Sequence, residues 1–224
     1  MRSKDVKPTQ LAKFLIVGED SNLQWSENVT EYVMFGNYYF QEFPKDHGER
    51  SRHVEAQNLF NYIHYLTQGM ASPENSYLTN LCNDYIRATS PKGKRTLIPE
   101  TNAIKGFDHI KWILEENRSI EYIIALSMQT NYWLQKLGLY TSENDYIERA
   151  QPRRIGLSGE EPFYQPIDGK AFTSICFRVF ETSSTAVKII PALPAKDFPF
   201  NDQTYERYGA TYENLRAYFK PEKI

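Results

Sequence analysis

Four apolar residues, Phe14 to Val17, run straight into Gly18, and two acids, Glu19 and Asp20, follow at once. A run that is apolar throughout, rather than alternating, marks a strand buried on both faces. It is expected over residues 11–17, with Gly18 opening a turn. Similar runs lie at 121–126 (EYIIAL) and from 186 (AVKIIPALP, stopped by Pro191), and a strand of about ten residues is read in KAFTSICFRVFE, 170–181. A very short strand, 96–98, follows the basic loop SPKGKR.

Between these runs the apolar period lengthens to that of a helix. Ala56, Leu59, Phe60, Ile63 and Leu66 form one stripe that Gly69 ends. Leu78, Leu81, Cys82, Tyr85 and Ile86 form a second, with Ser72 as cap and Pro73 in the first turn. Ile104, Phe107, Ile110, Ile113 and Leu114 form a third, capped by Asn102. MQTNYWLQKLG makes a helix that stops at Gly138, and a closing helix carries Tyr208, Tyr212, Leu215 and Phe219. Residues 29–44 are ambiguous, with a break at Gly36-Asn37. The Pro- and Gly-rich stretch 140–169 reads as a long functional loop. Strand, turn and helix at this spacing argue a parallel sheet with crossover helices.

Composition changes this picture little. The chain has 224 residues, enough for one substantial core, and it reads as a frayed lead-in, 1–10, followed by a single α/β domain, 11–224. With 26 basic and 28 acidic side chains the net charge is -2, so no overall positive field advertises nucleic acid. Cys82 and Cys176 are too few for a disulfide framework and too far apart for a metal knuckle. The N-terminal apolar run is too short for a signal or membrane segment. A cytoplasmic monomer away from membranes is expected.

Ligands of open α/β sheets sit beyond the carboxyl ends of the strands. That rule selects Glu19, Asp20 and Ser21 after the first strand, Ser127, Gln129 and Asn131 after the middle one, and Lys196 after the last. A carboxylate at such a rim positions or deprotonates a water. The plainer alternative is that Glu19 and Asp20 only close the turn, as Ser127 only caps its helix. Lys94, Arg95, Arg153 and Arg154 offer phosphate contacts, or are simply solvated. His47, His53, His64 and His109 fit no ligand spacing, so no metal or other cofactor is expected. One glycine makes no dinucleotide fingerprint, and GLSGE at 156–160 lacks the strand a nucleophile elbow needs.

The order of LIVGEDS, IEYIIALSMQTNYWLQKLG and VKIIPALPAKDFP, over roughly residues 11–219, resembles the uracil-DNA glycosylase superfamily. The resemblance implies a three-layer α/β/α sandwich with a central, mostly parallel four- or five-stranded sheet. It implies that Glu19 or Asp20 activates water, that Tyr38 or Phe40 stacks on a base, and that Ser127 or Asn131 lines the base pocket. Ser21, Lys94, Arg95, Arg153, Arg154 and Lys196 would then hold phosphates, and the partner would be DNA or another nucleobase-containing ligand. The sequence departs from the family at Leu193, which stands where the family's His-Pro-Ser type loop carries histidine. Leucine donates no hydrogen bond to a departing base. Two function classes therefore stay open: hydrolysis of an N-glycosidic bond in DNA, or non-catalytic binding of nucleic acid or nucleotide on a degenerate glycosylase fold.

Overall fold

The computed structural model describes residues 12–20, 34–35, 50–82, 98–142, 153–155, 163–165, 169–183, 186–195 and 198–220. Strands β1 (Phe14–Asp20), β3 (Ser76–Cys82), β4 (Tyr122–Leu126) and β8 (Lys188–Ala192) form the parallel centre of a sheet. Two-residue antiparallel strands, β2 (Met34–Phe35) and β7 (Phe180–Glu181), flank them, giving the order β2-β3-β1-β4-β8-β7. The sheet thus has six strands rather than four or five, because two residues are too few to leave a pattern in the sequence. A separate hairpin pairs β5 (Arg153–Ile155) with β6 (Phe163–Gln165).

Helices α1 (Arg50–Leu66), α2 (Glu100–Glu116), α3 (Met128–Lys136), α4 (Gly169–Thr173) and α5 (Asp202–Tyr218) complete the described elements. The chain runs from β1 through α1 to β3, then back through α2 across β1 to β4. Right-handed crossovers in opposite directions place their helices on opposite faces of a sheet. The side-chain contacts agree. Tyr65 of α1 stacks on Tyr212 of α5 at 6.0 Å, and Lys136 of α3 pairs with Glu100 of α2 at 3.2 Å. The result is a three-layer α/β/α sandwich. Its buried side chains form one cluster in which Phe14, Leu15, Ile16 and Val17 are all inaccessible, as a strand covered on both faces requires.

Several elements differ from their sequence pattern. The first strand does not stop at Val17: Gly18 stays in register opposite Asn80, and Asp20 opposite Cys82. Residues 72–82 are not the expected helix, and Tyr85 and Ile86 lie outside the described residues. Ser72 to Asn75 form a turn, closed by Asn75 N–H donating to Ser72 O at 3.2 Å, and β3 follows. Every β3 residue but Asn80 is buried, and a strand covered on both sides shows no alternation to tell it from a helix. The opposite holds at 170–181, where a strand is expected and a helix stands. Ala171, Phe172, Ile175 and Cys176 are buried at helical spacing, so α4 and a turn occupy most of that stretch.

Pro191 lies inside β8 rather than ending it. Its carbonyl accepts Phe177 N–H at 2.7 Å, on the edge away from β4, so the missing proline N–H costs the parallel ladder nothing. Ile98 is not in a strand, and residues 96–97 lie outside the described residues. Pro99, not Asn102, precedes α2, and Ile104 is 42% exposed. Gly106 takes the inward position instead, since a Cβ there would run into the Leu81 carbonyl. Helices α1 and α3 end as expected, at Gly69 and Gly138, whose positive φ of 84° and 85° suits glycine. Among the described residues no helix is long and apolar enough to cross a membrane. The lead-in, residues 1–10, lies outside them.

Candidate functional site

Counting only the parallel strands in chain order, the sheet reads 2-1-3-4. The connections leaving β1 and β4, its first and third members, turn to opposite faces. This topological switch point is where ligands of doubly wound sheets bind. Glu19 stands at the end of β1, half-buried, and accepts a hydrogen bond from Gln129 Nε2 at 2.7 Å. Gln129, in the first turn of α3, is 4% exposed, and its Oε1 accepts Ile98 N–H at 2.6 Å. Because a backbone N–H always donates, the Oε1 end of the amide is committed to Ile98 and the Nε2 end to Glu19. Thr130 Oγ1 donates to Gly18 O at 3.2 Å, stitching the same two elements together.

Ser127 makes the turn from β4 into α3. Its hydroxyl accepts Thr130 N–H at 3.3 Å, which is the helix cap the sequence predicts. Its backbone sits at φ 85°, ψ 157°, a region that favours glycine. Two bonds hold it there: Ser127 N–H donates to Ala192 O at 2.9 Å, and Asn131 Nδ2 donates to Ser127 O at 2.8 Å. The first ties the carboxyl end of β8 to that of β4, so the ends of β1, β4 and β8 share one rim.

Asn131 lies below that rim and is fully buried. Its amide donates to Ala125 O and Ser127 O, both at 2.8 Å, and its Oδ1 accepts Tyr140 Oη–H at 2.8 Å. These bonds brace α3 against β4. Leu193, just past β8, is buried among the apolar residues. The backbone of Asp20 continues β1, and those of Arg153 and Arg154 form β5. Ser21, Tyr38, Phe40, Lys94, Arg95 and Lys196 lie outside the described residues, as does most of 143–168.

Other chemistry is sparse among the described residues. No group of three or more His, Cys, Asp or Glu is placed to hold a metal ion. Burial pushes the Cys176 thiol well up, against smaller lowering by backbone hydrogen bonds at Leu193 and Phe177, so it carries little thiolate. His109 stacks on Trp112 at 5.6 Å along α2, away from the rim. Gln129, placed on the rim by the sequence, had no role there. Its position three residues past the β4 end, in the first turn after the strand, is the signal that marks it.

Fold and site together define the class: a doubly wound α/β protein with an amide-held carboxylate at its switch point. No protein-family model matches the sequence, and no curated protein matches it.

Proposed function

We propose that the chain is a uracil-DNA glycosylase-like protein that hydrolyses the N-glycosidic bond of a nucleobase in DNA. Glu19 activates the attacking water: the carboxylate takes a proton, the water oxygen bonds the sugar carbon, the bond from that carbon to the base nitrogen breaks, and the base departs with its electron pair as an anion. One observation carries this reading. Glu19 is delivered to the switch point and its Oε1 is held by an amide whose other end is locked on Ile98 N–H. A carboxylate oriented in advance, on a strand end rather than a mobile loop, suits general-base work. The resemblance in LIVGEDS and IEYIIALS supplies the substrate class. In this reading Tyr38 or Phe40 stacks on the extruded base, Ser127 borders it, and Asn131 stiffens the turn beneath. Ser21, Lys94, Arg95, Arg153, Arg154 and Lys196 contact the DNA backbone, and Asp20 is the alternative base.

A second reading is favoured by Leu193 alone, the apolar residue where the family's leaving-group histidine is expected. In that reading the protein binds nucleic acid or nucleotide without cleaving it. One experiment separates the two. The protein is incubated with single- and double-stranded oligonucleotides carrying uracil or other altered bases, and abasic sites are counted beside Glu19→Gln and Asp20→Asn. Base release lost in Glu19→Gln alone supports the first reading. Loss in Asp20→Asn alone moves the role to Asp20. Binding at low salt without release supports the second, and neither binding nor release overturns both.

A further inference from the structure

At the amino edge of the sheet, opposite the Glu19 rim, three side chains from three elements meet. Lys188 opens β8, Tyr122 opens β4, and Tyr218 is the last residue of α5. Lys188 Nζ donates to Tyr218 Oη at 2.9 Å, and the Tyr122 hydroxyl lies 3.4 Å from the same oxygen. Phe219, buried against Tyr122 at 5.2 Å, pins the end of α5 and so holds Tyr218 over the strand ends. Tyr218 nevertheless remains 43% exposed, open to reagents.

Tyr205, on the same helix and 48% exposed, has the reverse surroundings. Its hydroxyl donates to Glu213 Oε1 at 3.1 Å. One phenol oxygen thus receives a cation's proton, and the other gives its own proton to an anion.

We propose that Tyr218 is a nucleophilic phenol and a covalent-modification site for electrophiles of the sulfonyl class, with Lys188 as its cationic partner and Tyr122 as its second donor. The phenolate oxygen attacks the sulfur. The O–S bond forms, the bond from sulfur to the leaving group breaks, and the leaving group departs as an anion, while the phenol proton goes to solvent base.

The electrostatics favour this assignment. Burial opposes ionisation of Tyr218, but the hydrogen bonds from Lys188 and Tyr122 and the Lys188 charge outweigh it, and the phenol is lowered. Glu181, 3.9 Å from Lys188, opposes the shift weakly. The Tyr218 hydrogen bond and charge raise Lys188, which stays an ammonium and is no competing nucleophile. Burial and Tyr218 itself raise Tyr122, which stays a protonated donor. Hydrogen bonding to Glu213 raises Tyr205.

The test treats the full chain with an aryl sulfonyl fluoride in mildly alkaline buffer and maps the adducts by mass spectrometry. Tyr218 is expected to label several-fold faster than Tyr205, because Lys188 favours its phenolate while Glu213 disfavours that of Tyr205. Lys188→Met slows Tyr218 towards the Tyr205 rate, while Lys188→Arg keeps most of the difference. Tyr205 labelling serves in each variant as the internal measure that the fold is intact. Equal labelling of the two tyrosines in the unaltered protein overturns the proposal without any variant. So does an adduct on Lys188 in place of Tyr218, or a Lys188→Met protein that labels as before.

Discussion

Gln129 holds Glu19 by one oxygen, at 2.7 Å, and cannot turn its amide without breaking the 2.6 Å bond from Ile98 N–H. The carboxylate at the switch point is therefore oriented by a buried side chain from the neighbouring strand's helix. Gln129→Met keeps the bulk but removes both bonds and leaves the buried Ile98 N–H bare. A loss of about 1–3 kcal/mol is expected, measured by urea unfolding. Gln129→Glu sets two carboxyl groups at hydrogen-bond distance, so one of them is held protonated. Its folded-state pKa rises, the unfolded chain binds fewer protons, and the variant loses stability as pH climbs from acid to neutral. A melting temperature that does not fall over that range contradicts this geometry.

Gly106→Ala separates helix propensity from packing. On an isolated helix the change gains about 1 kcal/mol. Here the new Cβ meets a backbone carbonyl, that of Leu81, which moves only with β3 itself. The net effect is a loss of about 3 kcal/mol, at the top of the overpacking range, read from thermal or urea midpoints.

Ser127 gives an ordering rather than a single value. Ser127→Ala loses the cap to Thr130 N–H and keeps the unfavourable backbone, costing about 1 kcal/mol. Ser127→Gly loses the same cap but adopts φ 85° freely, a relief of about 1–3 kcal/mol. The glycine variant is expected to be the more stable of the two. Equal unfolding midpoints would mean that the turn is not held at that φ in solution.

Tyr140→Phe removes the hydroxyl that donates to Asn131 Oδ1 at 2.8 Å and accepts Gln135 Nε2 at 3.1 Å. Two buried polar groups then lose a partner, and a cost of about 1–3 kcal/mol follows. Hydrogen exchange at α3 amides is expected to speed up with it, because Asn131 ties that helix to the Ala125 carbonyl.

Alkali should unfold the protein through its buried phenols. Burial pushes Tyr77 up to about 12, and raises Tyr212 by the same cause. A raised folded-state pKa contributes its stability in full below the unfolded value of about 10 and loses it as pH rises through the folded one. Each such tyrosine adds a slope of about 1.4 kcal/mol per pH unit above pH ~10. Tyr77→Phe is expected to flatten the alkaline limb of stability against pH between about 10 and 12, whatever its effect at neutral pH.

The parallel core strands β1, β4 and β8, the helices α1, α2, α3 and α5, and the rim after β4 were legible because each depends on local pattern. Phe14 to Val17 are apolar on both faces, and the α1 stripe keeps its helical spacing. Ser127 carries a hydroxyl where a cap is needed. Elsewhere the pattern is silent. The 76–82 run suits helix or strand alike, and only its register, Phe14 opposite Ser76 and Val17 opposite Thr79, makes it a strand. Gly18 and the two acids looked like a turn, yet β3 lies beside them and keeps the ladder going to Asp20.

What the sequence determined by itself is which residues must be hidden and where the chain can turn, since burial and backbone freedom are properties of short segments. The tertiary structure alone decided what faces what. The Gln129 bond to Glu19 spans 110 positions, and the meeting of Lys188 with Tyr218 needs a strand start and a helix end to coincide. A hydrogen bond acts over about 3 Å in space, and that distance is set by how the layers pack.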